Sequence, residues 1–212
     1  MRRAARTLAH LPPASAGLRI GLFGGSFNPP HEGHLLVAQT ALRRLKLDRI
    51  WWMVTPGNPL KPLHGLPSLA ARMAAARRLT RDPRIIVTGF EAEIGARYTY
   101  QTLTYLKRRL PDVHFVWLMG ADNLRQFDRW QNWLKITHMM PIAVIDRPGS
   151  TLNAMASKAA QRLQTCRYKE DRAGHLPLTP APAFIFLHGR RSDLSSSALR
   201  GQSKDRMDVN PV

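Results

Sequence analysis

Leu18-Arg19-Ile20-Gly21-Leu22-Phe23, followed by Gly24-Gly25-Ser26-Phe27-Asn28-Pro29-Pro30-His31-Glu32-Gly33-His34, is the stretch from which the fold is read. A short apolar run ending at paired glycines reads as a buried strand. After the proline-containing loop, Leu35, Ala38, Leu42 and Leu45 recur at helical spacing between His34 and Leu47. Arg43, Arg44 and Lys46 are left for solvent, so the loop leads into an amphipathic helix.

Further along, the same alternation repeats. Ile50 to Val54 reads as a strand, the Pro56-Gly57-Asn58-Pro59 stretch with Pro62 and Pro67 as an irregular connection, and Leu69 to Leu79 as a helix. Arg84 to Thr88 is a short β-branched strand, Thr99 to Leu110 a helix, and His114 to Met119 an apolar strand running into Gly120-Ala121-Asp122. Leu124 to Leu134 is amphipathic and aromatic. Ile142 to Ile145 and Phe184 to Leu187 complete the strands, and a terminal helix is expected from about Ser196. Residues 148–182 show no clear period and are expected to be helix and loop. Strands alternating with helices predict an α/β chain with a parallel sheet, whose ligands sit beyond the carboxyl ends of the strands.

Composition narrows the partners. With 212 residues and 44% hydrophobic content, one substantial core is expected. Lys and Arg number 32 against 14 Asp and Glu, a formal charge of +18, concentrated at Arg2, Arg3 and Arg6 and at Arg190, Arg191, Arg200, Lys204 and Arg206. Such a surface attracts polyanions without choosing between nucleic acid and nucleotides. The lone Cys166 excludes an intramolecular disulfide and suits a reducing compartment. No apolar run reaches the roughly 18 residues that span a bilayer. Residues 1–17 are expected to be a basic, disordered extension, residues 18–202 the folded domain and residues 203–212 a tail.

Two constellations carry chemistry. Gly24 and Gly25 let the backbone approach a phosphate or ribose closely, although neither a dinucleotide fingerprint nor a P-loop is present. His31 and His34, three apart at a helix start, can face one anion while the helix N-terminus adds its positive end; protonated or donating imidazoles there would stabilise a phosphate in transfer. No further cluster of Cys, His or carboxylate completes a zinc shell around them. At the other end, Ser195, Ser196 and Arg200 bring hydroxyls, N–H groups and a guanidinium to a second helix start. Two phosphate-friendly helix starts at opposite ends of one chain suggest one extended polyphosphate.

The Gly24 to His34 segment resembles the Gly-Gly-x-Phe-x-Pro-x-His-x-Gly-His signature of the bacterial nicotinate-nucleotide adenylyltransferases, and Leu194 to Arg200 resembles their Ile-Ser-Ser-Thr-x-Ile-Arg motif, with Ser197 in place of Thr. Pro56 to Lys61, Tyr98 to Leu103, Gly120-Ala121-Asp122 with Phe127 and Trp130, and Arg147-Pro148-Gly149 match as well, so the likeness spans about residues 18 to 202. It implies a single-domain, Rossmann-like α/β nucleotidyltransferase with helices on both faces of the sheet. The implied reaction joins the 5′-phosphate of nicotinate mononucleotide to the AMP part of ATP, with magnesium delivered by the ATP, in cytoplasmic NAD biosynthesis.

By the same resemblance His31, His34 and Arg200 are the expected catalytic groups. Gly24, Gly25, Ser26, Phe27, Gly33, Asp122, Arg147, Ser195 and Ser196 are expected at ATP, with Asp122 on a ribose. Lys61, Thr99 and Trp130 are expected at the mononucleotide, Trp130 stacking on the pyridine ring or, in the plainer reading, packing in the core. Both nucleotides are then the partners, with a membrane excluded, nucleic acid disfavoured and a homo-oligomer left open. The nearest rival, a phosphopantetheine adenylyltransferase, shares the His-x-Gly-His core but not the Tyr98 to Leu103 and Trp130 matches. A basic RNA-binding module would account for the charge and not for the paired phosphate motifs.

Overall fold

Alternation along β1 (Arg19–Gly25) sets up the two faces of a sheet: Ile20 and Leu22 enter one apolar cluster and Phe23 the other. The computed structural model describes residues 9–57, 65–146 and 154–188. In it β1 lies between β2 (Arg49–Val54) and β4 (His114–Gly120), and β3 (Ile85–Thr88), β5 (Ile142–Ile145), β6 (Arg167–Tyr168) and β7 (Phe184–Leu187) extend the sheet in the order β3-β2-β1-β4-β5-β7-β6. Every pairing is parallel.

A parallel sheet must be covered on both sides, because its helical connections return across its faces. Trp51, Phe115, Trp117, Val144 and Phe186 therefore pack with Leu103 and Leu106 of α4 (Thr99–Arg109) on one side. Trp52, Leu118, Ile145 and Leu187 pack with Val37, Ala38, Ala41 and Leu42 of α1 (Glu32–Arg44) on the other, where α2 (Leu69–Leu79) adds Ala76. The expected single α/β domain with helices on both faces is thus what forms, and the six strands other than β6 lie within two residues of their expected limits.

Three segments carry structure that the sequence did not define. Residues 9–17, placed in a disordered extension by their composition, lie against the body: Leu11 and Ala14 pack on the core, Arg49 donates to the Pro13 carbonyl at 2.6 Å, and the Gly17 N–H reaches the Asp112 carbonyl. The stretch Leu124 to Leu134 is broken rather than continuous, with α5 (Ala121–Leu124), a 3-10 turn Phe127–Arg129 and α6 (Trp133–Met139) separated at Asn132, whose φ is 55°. Asn tolerates that left-handed conformation, which ends one element and aims the next. The segment 148–182 includes, in its described part, a helix Lys158–Leu163, a 3-10 run Glu170–Leu178 and the edge strand β6. Two residues, one of them charged, are too few to show a period. Among the described residues no helix is long and apolar enough to cross a membrane.

Candidate active site

The strand order reverses direction at β1: β2 follows on one side and β4 on the other. In open α/β sheets a crevice forms at such a point, beyond the carboxyl ends. The loop 26–31 and the start of α1 leave from β1, and Asp122 leaves from β4, so His31, His34 and Asp122 are delivered to the two flanks of one crevice by topology alone. Asp122 is exposed in the first turn of α5.

The histidines cap α1 reciprocally. His31 is the N-cap, in an extended conformation with φ −151° and ψ 168°, and its Nδ1 accepts the Gly33 N–H at 3.1 Å. His34, three residues on, accepts the His31 N–H on its own Nδ1 at 3.2 Å. The rings lie 3.8 Å apart by centroid and are 4% and 8% exposed. This is a capping box in which imidazoles replace the usual hydroxyl and carboxylate. An Nδ1 that accepts an N–H carries no proton, so the neutral tautomer of each ring is protonated at Nε2, which is then the atom able to donate. Of the two modes open from sequence, protonated or donating, the geometry favours the donating neutral ring: protonating Nδ1 would break the cap.

Beneath the pair the packing is aromatic. Phe27 meets His34 edge-on with centroids 4.9 Å apart and also packs on Phe23 and Trp52. It holds a φ of 46°, a left-handed conformation that costs a non-glycine residue about 1 kcal/mol or more and persists only where surroundings enforce it. Expected to line ATP, the Phe27 side chain is 3% exposed and supports His34 from below.

The two glycines are accounted for differently from the sequence reading. A Cβ on Gly24 would fall 2.8 Å from Cη2 of Trp117, and one on Gly25 3.1 Å from the Phe27 ring. The space their missing side chains leave is filled by protein rings. Trp117 is 2% exposed and wedged against Trp130, so it has little freedom to retreat. Gly24→Ala is expected to cost about 1–3 kcal/mol of stability, the range typical of overpacking, measured by urea denaturation; an unchanged midpoint would contradict the contact.

Trp130 is half-buried, edge-on to Trp117 with centroids 6.0 Å apart and to Phe127 at 5.3 Å. Core packing and a partly exposed ring therefore coexist in one side chain. Thr99 is the first residue of α4 and half-buried; just before it, the Arg97 and Tyr98 N–H groups donate to Oε1 of Gln101. Ser26 is half-buried and Gly33 buried. Lys61, Arg147, Ser195, Ser196 and Arg200 lie outside the described residues. Among the described residues no three of His, Cys, Asp or Glu gather as a metal-holding group.

Two buried ionisable residues escaped the sequence reading. Arg72 is 3% exposed on α2, where burial pulls its pKa below the ordinary value. It occupies the stripe formed by Leu69, Met73 and Ala76, all packed on the core; a cation at a core position of a helix was the signal to find it. Glu91, in the short α3 (Phe90–Glu93), is 5% exposed and accepts the Thr102 hydroxyl on Oε1 at 2.7 Å. Burial pushes its pKa up to about 7, with the Thr102 bond pulling the other way. Nothing in its local sequence distinguishes it from a surface glutamate.

A family model described as cytidylyltransferase-like matches residues 22–202. The chain is 58% identical over 185 residues to a probable nicotinate-nucleotide adenylyltransferase of Agrobacterium fabrum, covering 87% of this chain and 99% of that one. It is 59% identical over 183 residues to a protein of the same description from Methylorubrum extorquens, covering 86% and 99%. Among solved structures, Plasmodium falciparum nicotinic acid mononucleotide adenylyltransferase complexed with NaAD superposes with a TM-score of 0.64 at 18% identity, over 86% of this chain and 82% of that one, a likeness of fold.

Proposed function

The chain belongs to the nicotinate-nucleotide adenylyltransferase family, and from that premise we propose how its residues carry the reaction. The enzyme is a nucleotidyltransferase of NAD biosynthesis that moves AMP from ATP to nicotinate mononucleotide, giving deamido-NAD and pyrophosphate. In the transfer, a 5′-phosphate oxygen of the mononucleotide forms a bond to the α-phosphorus of ATP and the α–β bridging bond breaks, its electron pair leaving with pyrophosphate. The nucleophile is already an anion. No strong base is required, and positioning with charge stabilisation supplies most of the acceleration.

The observation that carries this reading is the reciprocal cap of His31 and His34. It fixes two adjacent imidazoles as Nε2 donors at the positive end of a 13-residue helix, which suits charge developing on a phosphoryl group. His34 faces the transferring group and His31 the neighbouring phosphates; Ser195, Ser196 and Arg200 are assigned the β and γ phosphates, with Arg147 adding charge. Ser26, Gly33 and the backbone of Gly24 and Gly25 border the ATP, Asp122 accepts from a ribose, Trp130 lies against the pyridine ring, and N–H groups at Thr99 with Lys61 read the mononucleotide. Magnesium enters as the Mg–ATP substrate. We place the reaction in the cytoplasm, a setting that suits the free, half-buried Cys166.

Pyrophosphate release with Mg–ATP and, in parallel, nicotinate mononucleotide, nicotinamide mononucleotide or phosphopantetheine tests the assignment. The acid is expected to exceed the amide in kcat/KM by about tenfold or more, and phosphopantetheine to give none, since a site built for a carboxylate leaves donors unmatched by other groups. Release with none of the three would overturn the function; equal rates with acid and amide would overturn the role given to Thr99.

A further inference from the structure

We propose that Arg72 is a positioning residue for the phosphate site: its guanidinium ties together and neutralises the carbonyl ends of β1 and β2, so that an approaching polyphosphate meets donors and not bare carbonyl oxygens. The proposal rests on the reading of His31 and His34 as phosphate donors. Parallel strands all finish at the same edge, and the chain leaving β1 and β2 carries acceptors into the region where an anion must sit. Nη1 of Arg72 donates to the Ser26 carbonyl, one residue beyond β1, and to the Thr55 carbonyl, one residue beyond β2, both at 2.8 Å. Nη2 reaches the Pro56 carbonyl at 3.2 Å and Nε the Pro67 carbonyl at 2.9 Å.

All four of these bonds end on neutral carbonyls, which is an unusual set of partners for a cation so fully removed from water. A buried charge without a carboxylate in its hydrogen-bond set is expensive, and it leaves a positive potential at the place where the β1 and β2 loops meet. The planar fork of Arg spans carbonyls from three directions; a lysine ammonium, with its donors at one point, cannot hold the same set. The loop so anchored contains strained Phe27 and, five residues after Ser26, the capping His31. A slack or uncompensated loop would displace the imidazole pair, and misplacement by about 1 Å is enough to cost about 100-fold in rate.

The test uses the full chain and the variants Arg72→Lys and Arg72→Ala, with His34→Ala alongside. Circular dichroism melts give the folded fraction at the assay temperature, and initial rates are measured with Mg–ATP and nicotinate mononucleotide varied separately. Expected for Arg72→Lys are a folded protein, a kcat lower by about 100-fold and a mononucleotide KM within about threefold of the parent. Methylguanidinium added to Arg72→Ala should recover at least tenfold of the lost kcat. A wild-type kcat in Arg72→Lys while His34→Ala is impaired overturns the positioning role alone, and unimpaired His34→Ala overturns the phosphate-site reading beneath it. Rates in both Arg72 variants that fall only in proportion to the folded fraction, with no methylguanidinium recovery, assign Arg72 to folding and also overturn the proposal.

Discussion

His34→Ala is expected to lower kcat by about 10²- to 10³-fold, the loss seen when one preorganised donor is removed from a developing oxyanion. With Nδ1 engaged by the His31 N–H, the remaining ring nitrogen of His34 is a donor whose direction is set by that bond and by the edge contact with Phe27. Such a donor strengthens its bond as charge builds and does so without reorganising, so kcat and kcat/KM should fall together while the KM for ATP moves little. The substitution also removes half of the capping box, at about 1 kcal/mol of stability, which leaves a folded protein to assay. A turnover within about threefold of the parent would sink the role given to His34, and a large rise in KM at constant kcat would reassign it to ground-state binding.

The second large effect concerns stability. Glu91 has an ordinary value of 4.5 and is held at about 7 in the fold, chiefly by burial. Between those two pH values the folded chain binds a proton that the unfolded chain has released. Stability therefore falls as pH rises through the window from about 4.5 to about 7, and is flat on either side as far as this group is concerned. Glu91→Gln keeps an acceptor for the Thr102 hydroxyl and has nothing to titrate. Relative to the parent it should gain on the order of 3 kcal/mol between pH 4.5 and pH 8, the free-energy equivalent of the shift. Urea melts of both proteins across this range check it; a difference that does not vary with pH would show that Glu91 does not titrate there. Since Glu91 and Thr102 join α3 to the helix that begins at Thr99, the same melts report on the element assigned to the pyridine carboxylate.

How much was legible can be followed residue by residue. Strands read well because burial on both faces makes them nearly continuous apolar runs, as in Ile142–Ile145 and Phe184–Leu187, which formed at their expected limits. The helix Leu69–Leu79 likewise appeared where its Ala and Arg content placed it. β6 was invisible because two edge residues carry no pattern, and the break at Asn132 was invisible because a single left-handed residue leaves no periodic trace. At the site, His31 and His34 were legible from spacing: three residues at a helix start put two side chains side by side. At Gly24 and Gly25 the absent side chains also make room for Trp117 and Phe27, a packing demand that the glycine pair does not reveal in the sequence.

The sequence by itself determined the βα alternation, the position of the His-x-Gly-His helix start after β1 and the family, because periodicity and motif spacing are local properties of the chain. Only the tertiary structure decided that Phe27 packs against Trp52, that Trp117 fills the space beside Gly24, and that Arg72 ties together the carbonyl ends of two strands. Each of those depends on which group from a distant segment takes a given hydrogen bond or fills a given space. Ser26, Thr55 and Pro67 meet one guanidinium only because β1, β2 and α2 converge at the same edge of the sheet, and no spacing along the chain encodes that meeting.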